Sequence, residues 1–118
     1  SFVLEVLPEI KKINPEIKTS ALFAPSKFDY LLLSFGFSSP GNSIIEKTKQ
    51  INAEIISPYY EYINAKFIHS CRESKIKVIP WTVNDKELMK KLMQIGVDGI
   101  ISDYPDRLKS VHLEKINE

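Results

Sequence analysis

A single cysteine, Cys71, stands among 118 residues, so no internal disulfide and no thiolate metal cluster is available, and the fold must rest on apolar packing. No apolar run approaches the roughly 20 residues of a membrane span, and no basic-then-apolar leader opens the chain. Charge of one sign is lacking too. Sixteen basic and fifteen acidic side chains leave a formal net charge of +1, which gives neither nucleic acid nor an anionic membrane an electrostatic reason to bind. No glycine-rich loop follows any predicted strand, which argues against a flavodoxin-like nucleotide or signalling domain. The chain begins SFVLEVLPEIKK, without an initiator Met and directly in an amphipathic helical pattern, which suggests that its natural beginning is missing and any leader with it.

What is present is ordinary for one modest globular domain: 43% apolar and 26% charged residues. Val3, Leu4, Val6, Leu7, Ile10 and Ile13 are spaced to line one side of a helix that Asn14-Pro15 stops. Ile17 to Ala24 form a short apolar strand closed by Pro25. Residues 26 to 50 hold KFDYLLLSF, which fits strand or helix, then a turn-rich GFSSPGNS and a short helix, IIEKTKQI. AEIIS predicts a second buried strand ended by Pro58, and YYEYINAKFIHSCRESK a helix with Tyr60, Ile63, Phe67, Ile68 and Cys71 inward.

The densest signal is VIPWTVNDKELMKKLMQIGVDGIISDYPDRL, residues 78 to 108. It predicts a third strand, KIKVIPW, then a helix started by a capping box of Asn84 and Glu87, with Leu88, Met89, Leu92, Met93 and Ile95 inward. Gly96 stands where a helix end needs a left-handed residue, VDGIIS predicts a fourth strand, and Pro105 opens a last helix. Strands alternating with helices mean parallel α/β, and spacing alone fits either a doubly wound sheet or a barrel.

Both VIPWTVND and GVDGIISDYPDRL, separated by a capped helix, resemble the C-terminal signature of the glycerophosphodiester phosphodiesterase family, in which strand seven ends in W-T-V-N and strand eight reads G-V-D-G-I-[IV]-T-D-x-P. Ser102 replaces the usual Thr. Ser1-Phe2, NPEIKTSALF and AEIISPYYEYINAKFIHSCRES are similar to the family's fourth strand end through sixth helix. The resemblance implies that residues 1–118 are the C-terminal half, about four βα units of parallel strands, of a TIM (β/α)₈ barrel, which needs about 250 residues. It implies a scaffold for metal-assisted hydrolysis of a small-molecule glycerophosphodiester to glycerol 3-phosphate and an alcohol. The histidine-arginine-glycine tripeptide, the second catalytic histidine and the ligands of a divalent metal, calcium or magnesium, belong to the family's first half. No catalytic residue and no bound metal are therefore expected in this chain.

Two glutamates imitate the family's metal-ligating strand end: Glu9-Ile10-Lys11 lies inside the opening helix and Glu16-Ile17-Lys18 at the start of a strand, so neither would face a barrel mouth. Trp81 is either a large core residue or, placed after a strand and before a helix, an apolar wall at the mouth with its N–H free to donate. Asp103 either caps the turn before Pro105 or touches substrate, and Phe23 either lines the same mouth or packs in the core. Asp98 is expected to close the turn from Gly96. His69 and Cys71, two apart on one helix, point away from each other and suit packing better than a nucleophile and base. Tyr59, Tyr60 and Tyr62 lack interleaved basic residues, which speaks against nucleic-acid stacking. Four parallel strands alone would leave two bare edges, so the expected partner is the missing N-terminal half or a second copy.

Overall fold

The structure, a computed structural model, describes residues 1–36 and 41–118. Its centre is a three-stranded parallel sheet in the order β1-β2-β3, with β1 Ser20–Phe23, β2 Ile55–Pro58 and β3 Lys77–Val78. Among the described residues six α-helices accompany it: α1 Val6–Ile13, α2 Lys27–Ser34, α3 Gly41–Gln50, α4 Ala65–Glu73, α5 Lys86–Ile95 and α6 Pro105–Ile116. Ser1 extends the sheet beyond β1, since its amine donates to Ser20 O and its carbonyl accepts from Leu22 N, the pattern of a parallel bridge beside Ala21.

Register decides which residues face the helices. Ala21 pairs with Ile56 and Ile56 with Val78, all three buried, and this face packs on Ile44, Ile45, Phe67, Ile68, Cys71 and Ile76. The alternation of strand side chains puts Ser20, Leu22, Ile55, Ser57, Lys77 and Ile79 on the opposite, inner face. There the Ser20 and Ser57 hydroxyls meet at 2.8 Å. A second apolar cluster, Val83, Met89, Leu92 and Val111, holds α5 and α6, and a third, Leu7, Ala21 and Ala53, holds α1 on β1.

The structure resolves one open sequence alternative and revises other expectations. The ambiguous KFDYLLLSF is helix α2, because Ser26 and Asp29 form a reciprocal capping box: Asp29 N donates to Ser26 Oγ at 3.1 Å, and Ser26 N to Asp29 Oδ2 at 2.7 Å. The turn expected over residues 36 to 43 lies partly at 37–40, outside the described residues, and Gly41 to Ser43 already belong to α3. The helix after β2 starts at Ala65, not Tyr60: Tyr60–Tyr62 make a 3₁₀ turn, and Asn64 caps α4 by accepting from Phe67 N at 2.8 Å. On α1 the apolar stripe is only partly covered, with Leu7 buried and Ile13 86% exposed.

The fourth strand is the largest difference. Residues 97 to 102 run beside β3 without a regular ladder. Asp98 N donates to Val78 O and Ile101 N to Pro80 O, so three residues on one side advance against two on the other, and the extra residue breaks the rungs. Asp98 does not close the turn from Gly96; its Oδ2 accepts Val78 N at 2.8 Å, fastening this segment to β3. Gly96 is left-handed, φ 108°, as the end of α5 requires.

At the N-terminal ends of the strands Glu54 gathers three elements. Its carboxylate accepts from Lys11 Nζ on α1 and from Thr19 N at 2.8 Å before β1, while its carbonyl accepts from Lys77 N at 3.0 Å. Burial pushes this carboxyl up, but the Lys11 ammonium and the Thr19 amide outweigh it and hold the pKa at about 2. A depressed folded value means that the stabilisation is complete above the ordinary 4.5 and disappears as pH falls toward about 2. Because the Glu54 side chain is 40% exposed, solvent screening discounts the pair, and Glu54→Gln should cost only about 1 kcal/mol at pH 7. Thermal melts from pH 7 down to 2 should show the difference between the two proteins shrinking to nothing; a constant difference would remove the ion pair as its source.

Candidate functional site

The C-terminal ends of the strands converge on a cluster of rings. β2 runs on into Tyr59, which forms an isolated parallel bridge with Trp81, beyond the point where Pro58, having no N–H, interrupts the β2–β3 ladder. Trp81 N donates to Pro58 O and Tyr60 N to Trp81 O, both at 3.2 Å. The indole N–H is not free, contrary to the sequence expectation: Nε1 donates to Ser57 O at 2.8 Å, which fixes the plane of the half-buried ring. Phe2 meets it edge to face at 5.5 Å between centroids, and Tyr59 at 6.0 Å. Tyr30, carried by α2, closes on Tyr59 at 5.3 Å.

These rings offer apolar surface, not proton transfer. Burial, then the bond with Tyr60, lifts the Tyr59 phenol well above its ordinary range; burial, then Asp29, lifts Tyr62 to about 12. Both therefore stay protonated at neutral pH.

The second sequence candidate, Asp103, is neither a free carboxylate nor a helix cap. The residue before α6 is Tyr104, with no side-chain cap. Asp103 Oδ2 instead accepts from Asn84 Nδ2 at 2.9 Å, while Asn84 Oδ1 accepts from Asp103 N at 3.0 Å and from Ser102 Oγ at 3.1 Å. Ser102 Oγ in turn accepts from Tyr104 N at 3.0 Å, so the hydroxyl is used in both directions. Arg107 Nη1 donates to the Asn84 carbonyl at 3.0 Å and its guanidinium stacks on the Tyr104 ring, 3.9 Å from the centroid. The expected capping box of Asn84 and Glu87 does not form, because the Asn84 amide is committed across the mouth. Asp85 caps α5 in its place, accepting Leu88 N at 2.8 Å.

Phe23 ends β1 on the side of Ala21, packed against both helix-facing clusters, and its carbonyl accepts Tyr59 N at 3.0 Å. His69 is exposed on α4, whereas Cys71 is fully buried and its thiol is pushed up to about 12, by burial first and then by Asp98. Glu9 pairs with Lys12 on the outside of α1, and Glu16 lies exposed in the turn after it. Among the described residues no three His, Cys, Asp or Glu side chains gather as a group that could hold a metal ion.

Residues 1–107 match the model of the glycerophosphoryl diester phosphodiesterase family. The chain belongs to this family. A glycerophosphodiester phosphodiesterase of Caldanaerobacter subterraneus subsp. tengcongensis is 30% identical over 102 residues, which are 86% of this chain and 36% of that protein. Two solved structures share the fold. An Oleispira antarctica phosphodiesterase in complex with the product sn-glycerol 3-phosphate superposes with a TM-score of 0.71 at 22% identity, over 94% of this chain and 39% of its own. A glycerophosphodiester phosphodiesterase from Parabacteroides distasonis gives 0.70 at 20% identity, over 98% and 42%. The parallel sheet with its helices is thus part of a glycerophosphodiester phosphodiesterase TIM barrel, and the chain spans between a third and a half of each of these relatives.

The state of Cys71 separates a packing thiol from a reactive one. In the folded chain it should resist a disulfide reagent at pH 8 and react at the rate of unfolding, accelerating with added urea. Fast stoichiometric labelling of native protein would contradict the burial described here.

Proposed function

We propose that this chain is the C-terminal half of a glycerophosphodiester phosphodiesterase and supplies the wall and scaffold of its substrate pocket. The observation that carries the proposal is the Trp81 indole, clamped by Ser57 O at the C-terminal end of its strand, where enzymes of this fold carry out their chemistry. A fixed, flat, apolar face there suits the carbon backbone of a glycerol moiety. Asp103, one oxygen of which is committed to Asn84, keeps the other for a glycerol hydroxyl, and Phe23 backs this wall from the helix side.

Hydrolysis of the anionic diester to glycerol 3-phosphate and an alcohol needs a cation to neutralise charge and groups that move protons between oxygens. In this reading both come from the other half of the barrel, which holds the calcium or magnesium. The inner face supports such a partner: Leu22, Ile55 and Ile79 are only half-buried and Ile101 is 42% exposed. Beside that edge a cleft of about 670 Å³, lined by Val97, Ile100, Leu108 and Ile116, offers apolar surface to a closing element or to a second copy.

Two outcomes are expected. The 118-residue chain with glycerophosphocholine and either cation should show no turnover above buffer, followed by release of glycerol 3-phosphate; robust cation-dependent turnover would sink the division of labour. In the complete enzyme Trp81→Ala should lower kcat/KM by about a hundredfold while shifting Tm by only a few degrees. A large loss of Tm that accounts for the lost activity would make Trp81 a core residue.

A further inference from the structure

The latch centred on Asn84 joins two segments whose backbones otherwise meet at the mouth through Val83 N to Ile101 O and Ile101 N to Pro80 O, each 2.9 Å, without a regular ladder. Residues 97 to 104 lack a continuous ladder to β3, so the position of the turn that carries Asp103 and Tyr104 over the mouth is not set by sheet pairing alone. Asn84 lies three residues beyond Trp81 and meets that turn with both polar atoms of its side chain and the start of α6 with its carbonyl. Its Nδ2 faces the acceptor Asp103 Oδ2; its Oδ1 takes two donors, Asp103 N and Ser102 Oγ; its carbonyl takes Arg107 Nη1.

Chemistry restricts which residue can stand at 84. The partners demand one short side chain that donates to a carboxylate and accepts from an N–H and an O–H at once. An amide does both; a carboxylate has no donor, and an alanine has neither. The same demands orient the amide, since an acceptor-only carboxylate must face its NH₂ group.

We infer that Asn84 is a positioning residue of the substrate pocket, which fixes Asp103 and the stacked Arg107 and Tyr104 relative to the Trp81 wall. Building on the proposed function, it assigns to that pocket a second wall, made polar by Asp103 and Arg107 and held at a set distance from the indole. Other charged groups near the latch are Asp85, whose carboxylate accepts Leu88 N on α5, and Asp106 in the first turn of α6.

Two substitutions give different signatures. Asn84→Ala removes the latch at every pH, whereas Asn84→Asp sets two carboxylates side by side, which repel when both are ionised and reconnect when they share one proton. In the complete enzyme both should lose about tenfold or more in kcat/KM at pH 7, expressed mainly in KM, with Tm little changed. Lowering the pH toward 5 should recover most of the loss for Asn84→Asp and none for Asn84→Ala. Equal pH profiles for the two variants, or wild-type kcat/KM in Asn84→Ala, would overturn the positioning role.

Carboxyl ¹³C NMR of the 118-residue chain is the companion measurement. In Asn84→Asp, one carboxyl of the pair should titrate above the ordinary carboxylate range, and no such raised titration should appear in Asn84→Ala. Two independent, ordinary titrations in Asn84→Asp would refute the latch itself. Should the complete wild-type enzyme hydrolyse no glycerophosphodiester, the functional proposal fails, and the positioning role with it; the NMR result still decides the latch.

Discussion

Parallel pairing of Tyr59 with Trp81 is the constraint on which the rest of the mouth depends. Pro58 has no N–H to donate to the β2–β3 ladder. Regular pairing therefore lapses after Val78 and resumes for a single rung, at which the indole is presented. That rung brings Trp81 Nε1 within reach of Ser57 O, and the resulting 2.8 Å bond turns a ring that could rotate into a fixed surface. Phe2 and Tyr59 then meet it edge to face, and Tyr30 meets Tyr59 in turn, an arrangement that aromatic quadrupoles favour.

The two ends of the sheet are built differently, and the difference follows the division expected of barrel folds. At the N-terminal ends Glu54 ties α1, β1 and β3 together through a charged bond and backbone amides, an arrangement concerned with stability. At the C-terminal ends the network of Asn84, Ser102 and Asp103 consists of side chains and backbone amides exchanging hydrogen bonds over an exposed turn. Ordering such exposed groups is entropically unfavourable. Under the proposed function their convergence at the strand ends would prepare a binding surface, in which groups held in place before the ligand arrives need not be ordered by it.

Much of the architecture was legible because its signals are local. The parallel α/β order, the apolar strand runs, the inward spacing on α5 and the left-handed Gly96 each depend on residues within a few positions of one another. α2 was legible in principle, since the Ser26–Asp29 spacing is itself a capping signature, and apolar content drew attention away from it. The site was less legible, because its bonds span 18 to 24 residues: Asn84 to Ser102 and Asp103, Trp81 to Ser57. Trp81 and Asp103 could be picked out as residues at strand ends, but their hydrogen-bond partners could not. Asn84 and Asp85 adjoin and both suit an N-cap, and only the cross-mouth demand for an amide assigns Asn84 to the turn and Asp85 to the helix. The fourth strand failed as an expectation for a similar reason: VDGIIS has strand composition, but a one-residue mismatch against β3 is a property of the pair.

The same chemistry explains why this mouth reads as a wall. Proton transfer near neutral pH needs a group that titrates there and reaches the mouth. The half-buried Tyr59 and the buried Tyr62 phenols are held protonated, the one thiol is sealed beneath the helices and raised to about 12, and His69 sits exposed on α4. What the described residues do bring to the strand ends is a fixed aromatic face, a carboxylate with one oxygen engaged, and a guanidinium braced by a ring and a carbonyl. Under the proposed function those features would orient a polar, carbon-backboned ligand, and the movement of protons and the neutralisation of phosphate charge would fall to groups across the barrel.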